Sequence, residues 1–340
     1  MRRSRRAVAT MLGVVVALLA TACGASGGSG AAGVVTLYNA QHDDLVKALV
    51  DGFTKETGIK VNIRSGKDFE LANQLVQEGG ASPADVFLTE NSPAMSLVDS
   101  KNLFAKVDDA TLAQVPAQFV PSSRNWTGFA ARSTVLAYNT QALTPAQLPG
   151  SLLDLAQPQW QGKIGIAPAG ADFQAIVSAV LELKGEAATA QWLAGLKANA
   201  KIYQGNIPVL RAVNSGEIQA GVIYHYYWYK DRAESGAGSA NTELKFFGGK
   251  DPGGFVSVSG AGVLKSGKNQ AQAQQFVRYL TGAGGQRILA DSKALEYSIA
   301  SGVPSNPRLK PLAELDPPAV DVSKLNGPKV VELMQKAGLI

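Results

Sequence analysis

Apolar and polar positions along the chain follow two periods, and the period switches at short intervals. The β-branched run VVTLYN, from Val34, predicts a strand. In DDLVKALVDGFTKETG behind it, Leu45, Ala48, Leu49 and Phe53 keep helical spacing. Asp43 and Asp44 open the first turn of that helix, where the dipole favours acids, and Gly58 closes its end. IKVNIRS predicts a second strand, FELANQLVQEG a short helix, ADVFLT a buried strand and SPAMSLVDS another helix. The order βαβαβα belongs to a parallel sheet with helices on its faces. Further on, GKIGIA leads into DFQAIVSAVLELKG, where Phe173, Ile176, Val177, Val180 and Leu181 share one face and Gly185 predicts a C-cap. QAGVIY followed by HYYWYKDRAE repeats the strand-to-helix form. The pattern predicts an α/β protein of two lobes, each with its own sheet.

The first 22 residues stand apart. MRRSRR, the apolar run AVATMLGVVVALLATA and the small residues that follow have the form of an export signal, with a run too short to span a membrane comfortably. LLATACG resembles a lipoprotein cleavage box, which makes Cys23 the expected lipid-bearing first residue of the mature chain. Residues 23–33, rich in Gly, Ala and Ser, predict a flexible tether between that anchor and the folded body. From residue 34 on, the chain is longer than one average domain and suits two.

Charge changes meaning once the leader is set aside. The full chain is formally +5, but residues 1–22 carry four arginines and no acid, so the remainder is close to neutral at +1 and has no basic block to offer a nucleic acid. Cys23 is the single cysteine, which excludes disulfides within the chain and cysteine-based metal sites. Any metal must be held by oxygen and nitrogen.

The stretch VIYHYYWYK holds four of the nine tyrosines and one of the two histidines, a concentration that packing or metal ligation could explain. Placement favours ligation for two of the phenols. His42 follows the first strand, Glu90 ends ADVFLT, and Tyr226 and Tyr227 follow AGVIY as a helix begins, so all four lie at the carboxyl ends of strands, where open α/β sheets bind ligands. Tyr224 and Tyr229 are expected to pack, turned away from the pair, and His225 to be exposed or a neighbour of the site. One carboxylate, two phenolates and a neutral imidazole carry three negative charges, which suits a hard trivalent cation, Fe(III) above all. A free phenol titrates near about 10, so such a site holds its ion near neutrality and releases it in acid.

At these residues the chain resembles the ferric-ion-binding proteins of bacterial iron ABC transporters. LYNAQHDDLVKALVDGFTKETGIKV is similar to that family's first strand and helix, SPADVFLTEN to its glutamate segment and IYHYYWYK to its paired-tyrosine segment. GKIGIAP, AVNSGEIQAGV and DPGGFVSVSGAGVLKSGKNQAQAQQFVRYL extend the likeness over nearly all of the chain from Val34. The resemblance implies a two-lobed, type II periplasmic-binding-protein-like α/β fold. Its lobes would be built from 34–132 with 257–307 and from 133–256 with 308–340, with the ligand cleft between them and STVLAYN and GGFVSVSGAG as crossing strands. It implies His42, Glu90, Tyr226 and Tyr227 as protein ligands of Fe(III), and a monomer, lipid-anchored outside the cytoplasm, that delivers iron to a permease and ATPase.

Members of that family complete the coordination of iron with water or a synergistic anion at a helix start. The corresponding segment is PAGADFQ, so Gly170 and Ala171 imply an anion site, with Asn206, Asn91 and Arg132 as its helpers or as ordinary surface hydrogen-bonding residues. Asp172 sits where an anion would, and would repel phosphate unless turned away. Carbonate, water or the Asp172 carboxylate itself remain the candidates. Two other readings compete: a receptor of the same fold for a polyamine, sugar or oxyanion, and an exported metal-dependent enzyme using His42 and Glu90 as acid and base. No HExxH or P-loop and, outside the tether, no GxSxG or GxGxxG supports the enzyme.

Overall fold

The computed structural model describes residues 33–340; the leader, Cys23 and nearly all of the tether lie outside them. Strand β1 (Val35–Asn39) runs into helix α1 (Asp43–Thr57), which buries Leu45, Val46, Leu49, Val50 and Phe53 against the sheet. Gly58 ends that helix at φ +73°, a left-handed turn that costs glycine nothing, and its N–H closes on Thr54 O. Strand β2 (Val61–Ser65), helix α2 (Asp68–Glu78), strand β3 (Val86–Leu88) and helix α3 (Ser92–Ser100) complete the predicted alternation. β1 pairs in parallel with both β2 and β3. A one-turn helix, α4 (Asp109–Leu112), then leads to the longest strand, β4 (Trp126–Asn139), buried along its whole length.

Beyond β4 come strand β5 (Ile164–Ile166) and helix α5 (Ala171–Asn199), which Gly185 interrupts at φ +79°, ψ 173°. The predicted C-cap is therefore a break after which the helix resumes. Strand β6 (Ala200–Ile202), helix α6 (Asn206–Ser215), strand β7 (Ala220–Tyr224), helix α7 (His225–Glu234) and strand β8 (Thr242–Lys245) follow. The chain then returns through β9 (Val256–Val263), helices α8 (Gln270–Thr281) and α9 (Ala283–Asp291) and the two-residue β10 (Tyr297–Ser298), and ends on α10 (Gly327–Lys336).

β4 belongs to two sheets. Its first half pairs antiparallel with β9, from Trp126 opposite Gly262 to Ser133 opposite Val256, and on the other edge with β10. Its second half pairs antiparallel with β7, from Thr134 opposite Tyr224, and with β8. β9 also pairs antiparallel with β3, which joins it to the β2-β1-β3 group, while β7 joins in parallel to β5 and β5 to β6. One apolar cluster runs across both sheets, and a smaller one backs each of them. Phe53 and Phe276 meet at 5.0 Å between α1 and α8, and Val209 and Val213 of α6 pack on Val135, Ala137 and Ile223. Among the described residues no helix is long and apolar enough to cross a membrane.

Candidate metal centre

The carboxyl ends of β1, β3, β5 and β7 point toward one place, near the point where β4 changes sheets. His42 is the residue before α1, and its side chain is held from behind: its backbone N–H donates to Gln41 Oε1 at 2.7 Å and its Nδ1 lies 3.2 Å from Glu296 Oε1. Glu90 and Asn91 follow β3, and their backbone N–H groups both donate to the buried Asp68 carboxylate, at 2.9 and 3.0 Å, which fixes the turn that presents them. Tyr226 and Tyr227 lie in the first turn of α7. A strand would send adjacent side chains to opposite faces; here the helix has begun, and the two rings sit 4.2 Å apart.

The four predicted residues come together. The Tyr226 hydroxyl donates to Glu90 Oε1 at 2.9 Å, and His42 Nε2 is 3.7 Å from the same oxygen. Asp172, in the first turn of α5, joins them: the Tyr227 hydroxyl donates to its Oδ2 at 2.9 Å and the Tyr226 hydroxyl lies 3.4 Å from that atom. Asn91 and Asn206 also donate to Asp172, at 3.0 and 2.8 Å, so the carboxylate faces the tyrosines instead of turning away. It stands just inside the helix start, which Gly170 precedes as N-cap and Ala171 opens. Among the described residues no three His, Cys, Asp or Glu side chains form a metal-holding cluster. The phenols are what complete a donor set here.

Several expectations need correction. Of the two readings of Arg132, the surface one fails: it is fully buried, with Nη1 2.7 Å from Glu90 Oε1 and Nη2 2.5 Å from Glu296 Oε2. Asn91 is buried as well. Tyr224 is not turned away from the pair, because its hydroxyl lies 3.3 Å from Asn91 Oδ1 and its ring 6.4 Å from that of Tyr226. His225 is wholly buried; its Nδ1 accepts from Ser133 N–H at 3.1 Å and its ring stacks on Tyr297 at 4.5 Å. Tyr229 does point elsewhere, accepting from Lys310 N–H. Sequence reasoning missed Glu296, Gln41, Ser259 and Asp68. Glu296 had no local signal, since it lies in an aperiodic turn, and only its distance from His42 and Arg132 gives it meaning.

Electrostatics sort these groups into two layers. Side-chain exposure is 31% for His42 and 22% for Glu90, but 0% for Arg132 and Glu296, so the first pair faces the opening and the second lies behind it. Burial, then the charges of Asp172 and Glu90, push both the Tyr226 and Tyr227 phenols well above their ordinary range. Burial and Glu90 likewise raise Asp172 to about 7. Burial opposes ionisation of Glu296, but Arg132 and His42 outweigh it and hold the carboxyl down to about 2. The front layer is thus oxygen-rich and short of positive charge. A cation there would reverse the cost of ionising the phenols.

This geometry, two sheets sharing a strand and converging loop residues at strand ends, is that of a type II solute-binding protein. The chain belongs to the family of bacterial extracellular solute-binding proteins, which it matches over residues 81–320. It is 58% identical over 329 residues to the Fe(3+)-binding periplasmic protein of Serratia marcescens, covering 96% of this chain and 97% of that one. Iron-bound HitA from Pseudomonas aeruginosa superposes with a TM-score of 0.84 at 42% identity, over 90% of this chain and 99% of that one. A Trichodesmium protein in complex with iron and citrate superposes with a TM-score of 0.80 at 29% identity, over 91% and 100% of the two chains.

Proposed function

We propose that the protein captures Fe(III) outside the cytoplasm and hands it to the permease and ATPase of an ABC transporter. The observation that carries this reading is the convergence of His42, Glu90, Tyr226, Tyr227 and Asp172 on one opening, four oxygen donors and one nitrogen, with hydroxyl-to-carboxylate distances of 2.9 Å. That donor set suits a hard trivalent ion. Relatives named for ferric iron, similar along nearly the whole chain, support the same cargo.

In this reading Glu90 and the two phenolates balance the ion, and Arg132 and Glu296 balance each other behind it. Asp172 then supplies the further negative oxygen that a synergistic anion would otherwise bring, at the helix start that Gly170 caps and Ala171 opens. Asn91 and Asn206 orient that carboxylate. The Trichodesmium complex with citrate keeps an outside anion as the competing arrangement.

In this reading the lobes, 34–132 with 257–307 and 133–256 with 308–340, would part to admit the ion; the change of partners along β4 supports the boundary at Ser133. Cys23 carries the lipid that keeps the protein at the membrane. The reading is tested by protein purified without added iron: metal analysis should find iron at about one per chain, and visible absorption should show the phenolate-to-iron band. Iron-free protein that gains no colour and binds no iron from ferric citrate would refute it. Membrane partition of full-length protein, lost in Cys23→Ser, tests the anchor.

A further inference from the structure

The imidazole of His42 is gripped from the side away from the opening. Its Nδ1 lies 3.2 Å from Glu296 Oε1, while its Nε2 faces Glu90 Oε1 at 3.7 Å. An ionised carboxylate only accepts hydrogen bonds, so a bond to Glu296 requires the proton on Nδ1. Nε2 is then the nitrogen free to offer its lone pair toward the opening.

Glu296 is itself held in place with unusual care. It is completely buried, and its Oε2 takes Arg132 Nη2 at 2.5 Å and Gln41 Nε2 at 3.3 Å, with Ser259 Oγ at 3.4 Å. Arg132 and Gln41 are anchored in turn on Ser259 Oγ, at 2.7 and 2.9 Å. The residue before it, Leu295, is buried at φ +53°, a left-handed conformation that a bulky side chain rarely takes. Such strain persists only where surrounding structure over-determines it, and it gathers at functional sites. Here it turns the chain so that Glu296 enters from behind while Tyr297 continues into β10.

We propose that Glu296 is a positioning residue for metal capture, fixing the ring orientation and tautomer of His42 so that Nε2 meets the ion. It does not touch the ion. This rests on the ferric reading above and extends it to a residue that supplies no ligand atom. Metal-bound histidines commonly donate their other ring N–H to a carboxylate, and loss of that partner costs roughly 10–100-fold in affinity.

The experiment is a double-mutant cycle of Glu296→Gln and His42→Ala, with ferric affinity measured by competition against citrate. Glu296→Gln keeps the size but has one acceptor oxygen where the carboxylate has two; with that oxygen on Arg132 and Gln41, its NH2 faces His42 Nδ1 and favours the other tautomer. With wild-type His42 present, Glu296→Gln should lower affinity about 10-fold or more, the lower end of the range for such partners. In the His42→Ala background the same change should have almost no effect, and pulsed EPR of the Glu296→Gln ferric protein should show weakened or altered coupling to directly bound imidazole nitrogen. Equal losses in both backgrounds, or unchanged affinity and nitrogen coupling, overturn the proposal. If instead the wild-type protein takes up no iron and no colour, it is the ferric reading that fails.

Discussion

Arg132 and Glu296 form a wholly buried ion pair, Nη2 to Oε2 at 2.5 Å, in which the guanidinium also reaches Glu90 and the carboxylate also reaches His42. Two residues that face the opening are thus tied to two that never see solvent. Removing one partner of a buried pair leaves the other charge uncompensated, whereas replacing both need not. Arg132→Met should therefore destabilise the iron-free protein by about 3–5 kcal/mol, and adding Glu296→Leu should recover part of that loss. Urea unfolding midpoints of the two variants decide it.

The same network sets a pH dependence whose sign can be worked out. Asp172 keeps its proton up to about 7 in the fold because of burial and Glu90, against 3.8 ordinarily. Between those values the folded chain binds more protons than the unfolded one, so the Asp172 contribution grows as pH falls from 7. Glu296 works in the opposite sense: its contribution is present above the ordinary carboxylate value of 4.5 and is lost as pH falls through about 2. The stability of the wild type relative to Asp172→Asn should accordingly rise between pH 8 and pH 5. Thermal melts of both proteins in chelator would show it, and a constant difference would contradict it.

Iron retention should run against that trend. Protons compete for His42, Glu90, Asp172 and both phenolates, so iron is held near neutrality and released in acid, with more than one proton taken up per ion. A titration of the visible band against pH, with citrate as acceptor, gives the slope.

Single hydroxyl deletions separate the four phenols of the tyrosine cluster. Tyr226→Phe and Tyr227→Phe should each weaken ferric binding by orders of magnitude and abolish or shift the colour, with the iron-free fold intact. Tyr229→Phe should leave both unchanged. Tyr224→Phe loses its hydroxyl contact to Asn91 at 3.3 Å, a cost of about 0.5–1.5 kcal/mol in stability, and should keep iron at full stoichiometry. Absorption spectra and metal content of the four variants are the measurement.

Asp172→Ala empties the position at the start of α5 and exposes backbone N–H groups there. Loading of this variant with iron should become dependent on added carbonate or citrate, while wild-type loading should not. Uptake measured in degassed, anion-poor buffer and again after each anion is added distinguishes the two.

Much of the front of the site was legible because each residue sits where the periodicity changes. His42, Glu90 and the Tyr226–Tyr227 pair each follow a short apolar run and open or precede a helix, and strand ends are where such sheets bind. The back of the site had no such marker. Arg132 lies within a strand buried on both faces, where the alternation that would flag an inward charge is absent, so the sequence leaves it between a helper of the site and a surface group. Glu296 precedes a strand of only two residues, too short to give any period. Tyr224 was misplaced because it lies at the last position of β7, where its hydroxyl reaches Asn91 across from the other sheet. Gly185 was recognised as a helix end, but a single residue out of register does not reveal that a second helical stretch follows.

The shared strand has a mechanical meaning. β4 is laddered on both edges before and after the point where its partners change, and Thr134 N–H still bonds Phe255 O at 3.0 Å across that point. If the two proposed lobes rotate against one another, the peptide units at the crossings, around Ser133 and Thr134 and around Phe255 and Val256, would absorb the twist as torsion bars with the helices as lever arms. His42 and Glu90 ride on one arm, Tyr226, Tyr227 and Asp172 on the other. Under the proposed function, twisting such bars would separate the two groups of donors together, and the cargo would be let go as a single event and not one bond at a time.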